Sequence, residues 1–132
     1  MPVYVELLAH ATDQDRRDLE HIYADAPDGL LAPYADAQTL ITQALGERRL
    51  LAGRFNGRLL GAALLERRPD RWRLSHLCVR QLTRGRGVAR RLLDEARRLA
   101  GEAGLPLVLA ATPGQTAAQR LAEGQQLPLE PL

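Results

Sequence analysis

Asn56-Gly57 stands between two strand-like runs, Arg49 to Phe55 and Arg58 to Glu66. Both residues tolerate positive φ, and the pair is the preferred type I′ turn of a two-residue hairpin. A second turn at Pro69-Asp70 leads into a further strand, Trp72 to Arg80. The middle of the chain is thereby committed to a three-stranded antiparallel meander, and everything else must pack around it.

The flanking segments supply the remaining elements. Val3 to Leu8 has strand composition. Thr12 is a suitable N-cap for a helix to about Tyr23, with Asp13 and Asp15 in the first turn, where the helix dipole favours carboxylates. Leu19, Ile22 and Tyr23 recur at helical spacing and should face the core. A second helix is expected from about Asp36 to Leu45, ended by Gly46. After the meander, Gly85 to about Ala103 forms a long helix with Val88, Leu92, Leu93, Ala96, Leu99 and Ala100 on one stripe. Leu105 to Ala111 is a continuous apolar run suited to a strand buried on both faces. A short helix from about Gln115 to Glu123 and an edge strand in the proline-containing tail complete the order β-α-α-β-β-β-α-β-α-β. A helical crossover joins parallel neighbours, so the sheet is mixed and the class is α/β.

The chain has 132 residues, which fits one domain over residues 1–132. Its apolar runs are too short for a membrane helix, and no signal peptide is apparent, so a cytoplasmic location without membrane contact is expected. The single cysteine, Cys78, excludes an internal disulfide and a cysteine-based zinc site, and no metal is expected. All 18 basic residues are arginine. The net charge of +2 divides unevenly: −7 over residues 1–47, +11 over 48–98 and −2 over 99–132. The basic middle calls for an anionic partner.

The segment from Leu74 to Ala89 carries the clearest chemistry. A strand ends, four residues turn, and a helix begins inside the run Arg84-Gly85-Arg86-Gly87. A helix N-terminus presents unpaired N–H groups and the positive end of the dipole, a ready site for phosphate. Gly85 and Gly87 admit an anion close to the backbone. Arg84 and Arg86 add fork-shaped donors. Neither a P-loop nor a dinucleotide fingerprint is present. RNA binding through this run is disfavoured: apolar periodicity continues straight into a helix, and none of the chain's five aromatics lies in the loop.

Arg84-x-x-Gly87-x-Ala89, directly after a meander strand, resembles the acetyl-CoA motif of the GNAT acetyltransferase superfamily, Gln/Arg-x-x-Gly-x-Gly/Ala. Thr12 to Arg16, Arg54-Phe55-Asn56 with Arg58-Leu59-Leu60, and Val79-Arg80 through Arg86-Gly87-Val88 are similar to the PanZ branch, with Gln81 where most GNAT enzymes have proline. The resemblance implies a single-domain GNAT (acyl-CoA N-acyltransferase) fold that binds acetyl-CoA or coenzyme A. It implies that Leu77-Cys78-Val79 splays from Leu107-Val108-Leu109 and offers its backbone to pantetheine. Arg84, Gly85, Arg86, Gly87, Val88 and Ala89 would cradle the pyrophosphate. Arg54 and Asn56 become candidates for touching a protein partner, which in that branch is the aspartate decarboxylase precursor. Arg54-Phe55-Asn56-Gly57 also reads simply as a well-formed turn.

Acetyl transfer needs a base for the incoming amine and a donor for the departing thiolate. Many GNAT enzymes place a tyrosine four residues before a Gly-Phe pair. Here Gly124 has Arg120 four residues before it and Gln125 after it, so that acid is missing. Glu66, His76 and Glu123 are candidates for the base; a strand histidine making an ordinary hydrogen bond is the plainer reading of His76. Cys78 reads as a buried structural thiol. Two readings stand: an N-acetyltransferase acting on a small-molecule or protein amine, and a PanZ-like, acetyl-CoA-dependent regulator of aspartate decarboxylase maturation in pantothenate and CoA synthesis.

Overall fold

The computed structural model describes residues 2–132, so Met1 lies outside the described part. Among the described residues, six strands form one sheet in sequential order: β1 (Tyr4–Leu7), β2 (Leu50–Phe55), β3 (Arg58–Arg67), β4 (Trp72–Val79), β5 (Leu107–Ala111) and β6 (Leu129–Pro131). β1 through β4 pair antiparallel, and β4, β5 and β6 pair parallel. The helices are α1 (Asp13–Ala24), α2 (Ala37–Gly46), α3 (Val88–Glu102) and α4 (Thr116–Gly124). No described helix is long and apolar enough to cross a membrane.

Local chemistry accounts for most boundaries. Thr12 caps α1 in a full capping box with Asp15, and Asp36 caps α2 by accepting from the Thr39 N–H. Asn56 and Gly57 have φ of 49° and 77°, as a type I′ turn requires. Alternation along β2 and β3 divides the core. Leu50, Ala52, Ala62 and Leu64 face α1 and α2 with Leu19, Ile22 and Leu40. Leu51, Ala63 and Leu65 face α3 with Val88, Leu92 and Leu93.

Two expectations need correction. The helix expected from Gly85 begins at Val88, because Gly85 and Gly87 have φ of 81° and 82° and cannot sit in a right-handed helix. Gln81 to Thr83 instead make one 3-10 turn. Leu107, Val108 and Leu109 do not diverge from β4: they pair with Trp72, Arg73 and Leu74, and pairing stops after Leu74–Leu109. The opening therefore lies further along β4, from Ser75 onward. Its cause is a bulge. Ala62 pairs with Cys78 and Leu64 with Ser75, so His76 and Leu77 oppose the single residue Ala63. His76 takes a φ of 53° there, which interrupts the regular strand alternation at the bulge.

Two ion pairs fasten α1 to the hairpin. Arg54 donates to both oxygens of Asp15 (2.9 and 3.2 Å). Asp18, whose side chain is 1% exposed, accepts from Arg58, from the Leu59 N–H (3.0 Å) and from Gln14 (2.9 Å). Burial opposes its ionisation, but the bonds from Arg58, Leu59 and Gln14 prevail and hold its pKa at about 2. A depressed carboxylate pKa stabilises the fold above the unfolded value of about 3.9, and that contribution is lost as pH falls through the folded value. Asp18→Asn should therefore cost about 2 kcal/mol at pH 7, with the gap to the parent protein closing as pH falls from about 4 toward 2. Urea denaturation across that range checks it; a gap independent of pH would contradict the pair's role.

Candidate functional site

Where β4 leaves β5, the sheet opens into a cleft of about 540 Å³. Leu77, Cys78 and Val79 form one wall; Leu109, Ala110 and Ala111 form the other with Ala117, Ala118 and Leu121 of α4. Asp25, Pro27 and Leu30, from the connection between α1 and α2, line it as well. The lining is mostly apolar, with strand backbone left unpaired by the splay, which suits an extended ligand carrying amides.

Arg84 and Ala89 stand at the loop end of this cleft. Gly87 is the N-cap of α3 and supplies no side-chain cap, so the N–H groups of Val88, Ala89 and Arg90 have no carbonyl one turn earlier in the helix. Nothing lies within 4 Å of where a Cβ would stand on Gly85 or Gly87, so the loop leaves space for an anion. A glycine pair brings α3 here. Gly53 and Gly61 are partners across β2 and β3. A Cβ on Gly61 would come within 2.8 Å of Val88 Cγ1 and 3.2 Å of Leu92 Cδ1. Glycines inside strands signal close approach, so this device was readable from the sequence, though the helix it admits was not. Arg84 is partly committed: Nε donates to the Val79 carbonyl (3.1 Å) and Nη2 to that of Asp25 (2.8 Å). Arg86 is exposed.

The candidate acid–base residues fall elsewhere or are occupied. Glu66 lies outside the cleft, opposite Arg73 on β4, and pairs with Arg68 and Arg73. Glu123 and Arg120 are exposed, and the cleft-facing side chains of α4 carry no proton donor. His76 does line the cleft, but both ring nitrogens are bonded. Nε2 lies 2.8 Å from the Ala32 carbonyl, which can only accept, so Nε2 holds the proton. Nδ1 then accepts from Ser75 Oγ at 2.8 Å. Burial lowers the His76 pKa and keeps it neutral. Burial likewise pushes the Cys78 thiol up to about 11, and its Sγ–H donates to the Ile22 carbonyl (3.2 Å). At neutral pH it holds no thiolate.

Arg54 and Asn56 sit at the hairpin, away from the cleft lining. Asn56 is exposed, whereas Arg54 is engaged by Asp15, Glu6 and the Gly57 carbonyl. Sequence reasoning missed Asp25, which the path of the α1–α2 connection brings to the cleft, and Gln115, the N-cap residue of α4 on the opposite wall.

A family described as the acetyltransferase (GNAT) domain, PanZ, matches residues 2–122. The PanD regulatory factor of Escherichia coli (strain K12) is 34% identical over 99 residues, covering 74% of this chain and 68% of that protein. A ribosomal-protein-alanine N-acetyltransferase from Brucella melitensis biovar Abortus 2308 superposes with a TM-score of 0.73 at 23% identity, over 93% of this chain and 89% of that one. PaiA N-acetyltransferase from Thermoplasma acidophilum, solved with coenzyme A, gives a TM-score of 0.71 at 14% identity, over 95% and 89%. At those identities the two solved structures speak for the fold.

Proposed function

This chain belongs to the PanZ family of GNAT acetyltransferase domains, and from that premise we propose that it binds acetyl-CoA and regulates maturation of the aspartate decarboxylase precursor. The observation that carries the reading is a cleft built to hold a CoA thioester without acting on it. At one end stand the uncapped amides of α3 with Gly85, Gly87, Arg84 and Arg86, suited to a pyrophosphate. Along its length run apolar walls and the β4 backbone from Leu77 to Val79, which has no strand partner on the β5 side although Arg84 holds the Val79 carbonyl, an arrangement suited to pantetheine. Among the described residues at the bulge end, His76 is not free to act as the base for amine acetylation, since its one basic lone pair accepts from Ser75 and its N–H donates to the Ala32 carbonyl, while the Cys78 thiol is protonated and donates to the Ile22 carbonyl.

Acetyl-CoA supplies an activated thioester and phosphate groups. Leu77, Cys78 and Val79 would align the arm, and Arg84 through Ala89 would neutralise the phosphates. The output is protein contact. Asn56 at the hairpin tip is the exposed candidate for it, while Arg54 would act by shaping that tip through Asp15 and Gly57. A cytoplasmic location goes with this role.

Self-cleavage of the decarboxylase precursor from the same organism tests the reading, run with and without this protein and with and without acetyl-CoA. Cleavage should accelerate by at least about tenfold, a barrier change of about 1.4 kcal/mol, only when both are present. No acceleration, with acetyl-CoA binding proven by calorimetry, would overturn the regulatory reading and turn attention to an amine acceptor.

A further inference from the structure

The connection between α1 and α2, residues 25–36, is largely irregular, yet both sides of the cleft hold it. On the β4 side, the Asp25 carboxylate accepts from the Gln81 N–H (2.9 Å), and its carbonyl accepts from Arg84 Nη2 (2.8 Å). Further along, His76 Nε2 donates to the Ala32 carbonyl (2.8 Å), with the Tyr34 ring edge-on to the imidazole at 5.4 Å. On the opposite wall, Gln115 at the start of α4 donates through Nε2 to the Asp28 carbonyl (3.0 Å). Gly29 leaves room for that amide: a Cβ there would lie 3.1 Å from Gln115 Nε2. Pro27 and Leu30 of the same segment line the cleft. The connection thus runs along the cleft from the loop end to the bulge end, with one cross-tie to the far wall.

An amine that takes an acetyl group must reach the thioester carbonyl carbon. With phosphates at the loop end and the arm along β4, the thioester would lie toward the bulge, under this tied segment. We propose that residues 25–36 form a strap that shields the bound thioester from nucleophiles, with Gln115 as the positioning residue that keeps it closed. The inference rests on the acetyl-CoA reading above and deepens it, because a regulator has to hold acetyl-CoA without consuming it.

Hydroxylamine tests this without needing enzymatic help. Its nitrogen attacks the acetyl carbonyl carbon, the C–S bond breaks, CoA leaves as the thiolate and takes up the proton lost by nitrogen, and acetohydroxamate forms. With protein in excess over acetyl-CoA and above each variant's own Kd, the appearance of free thiol reports the bound thioester. The parent protein should slow the reaction by at least about tenfold relative to free acetyl-CoA. Gln115→Met, of equal length but without a donor, should bring the rate to within about twofold of free. Gln115→Lys, which keeps a donor at that reach, should retain most of the protection. Without cofactor, hydrogen exchange of amides 25–36 should quicken in Gln115→Met and stay slow in Gln115→Lys. A bound thioester that reacts as fast as free acetyl-CoA in the parent protein, or Gln115→Met protected like the parent, would overturn the strap. If calorimetry finds no acetyl-CoA binding, the acetyl-CoA reading falls and the strap with it; binding without protection removes the strap alone.

Discussion

Gly87→Glu will weaken acetyl-CoA binding by about a hundredfold or more, equivalent to about 2.7 kcal/mol, while lowering Tm by only a few degrees. Gly87 is the left-handed N-cap of α3, with φ of 82°. A side chain there costs about 1–2 kcal/mol in backbone strain, partly offset by a carboxylate near the positive end of the helix. The fold tolerates the change because nothing lies within 4 Å of the new Cβ. The ligand does not, because the carboxylate stands where the uncapped amides would meet a pyrophosphate. Gly87→Ala carries the strain without the charge and should lose much less affinity. Calorimetric titration of both variants separates the two causes, and unchanged affinity in Gly87→Glu would remove the loop from the site.

Gly61→Val should show the opposite partition, with stability hit first. Its Cβ would stand 2.8 Å from Val88 Cγ1 and 3.2 Å from both Leu92 Cδ1 and Val79 Cγ2, before the two methyls are added. Overpacking of this kind costs about 3 kcal/mol, near 10 °C in Tm for a domain of this size. The strain would not stay local. Val88 is the first residue of α3 and follows the N-cap, so relief by moving the helix also moves the amides of the loop. Affinity for acetyl-CoA should fall together with Tm. A melt within 2 °C of the parent protein would mean that α3 sits further from the sheet than the glycine pair implies.

The two glycines also show how legible the molecule was. Gly87 announced itself, because it falls in a glycine–arginine run between a strand and an apolar-periodic helix, and that juxtaposition is local. Gly61 lay inside a strand pattern, where the sequence says only that something comes close. The partner proved to be a helix that begins 27 positions later, at Val88. His76 divides in the same way. Its place in the strand entering the loop was evident, but its tautomer, its bonds to Ser75 and Ala32, and the bulge that turns it were not.

By itself the sequence determined the order of the elements, the hairpin turn, the cap of α1, the crossover that makes β4 and β5 parallel, and the glycine–arginine loop that precedes α3. Each of these is governed by residues a few positions apart: turn dihedrals, capping oxygens, hydrophobic period and the orphan amides of a helix start. Only the tertiary structure decided where β4 and β5 part, that the candidate acid–base groups are spent or misplaced, and that a segment lies tied along the cleft. Those features join residues far apart in the chain, 44 positions for Ala32 and His76 and 87 for Asp28 and Gln115. No local preference encodes such pairs. They arise because packing two helices on one face of a bulged sheet leaves their connection a single path, and its carbonyls must find donors along it.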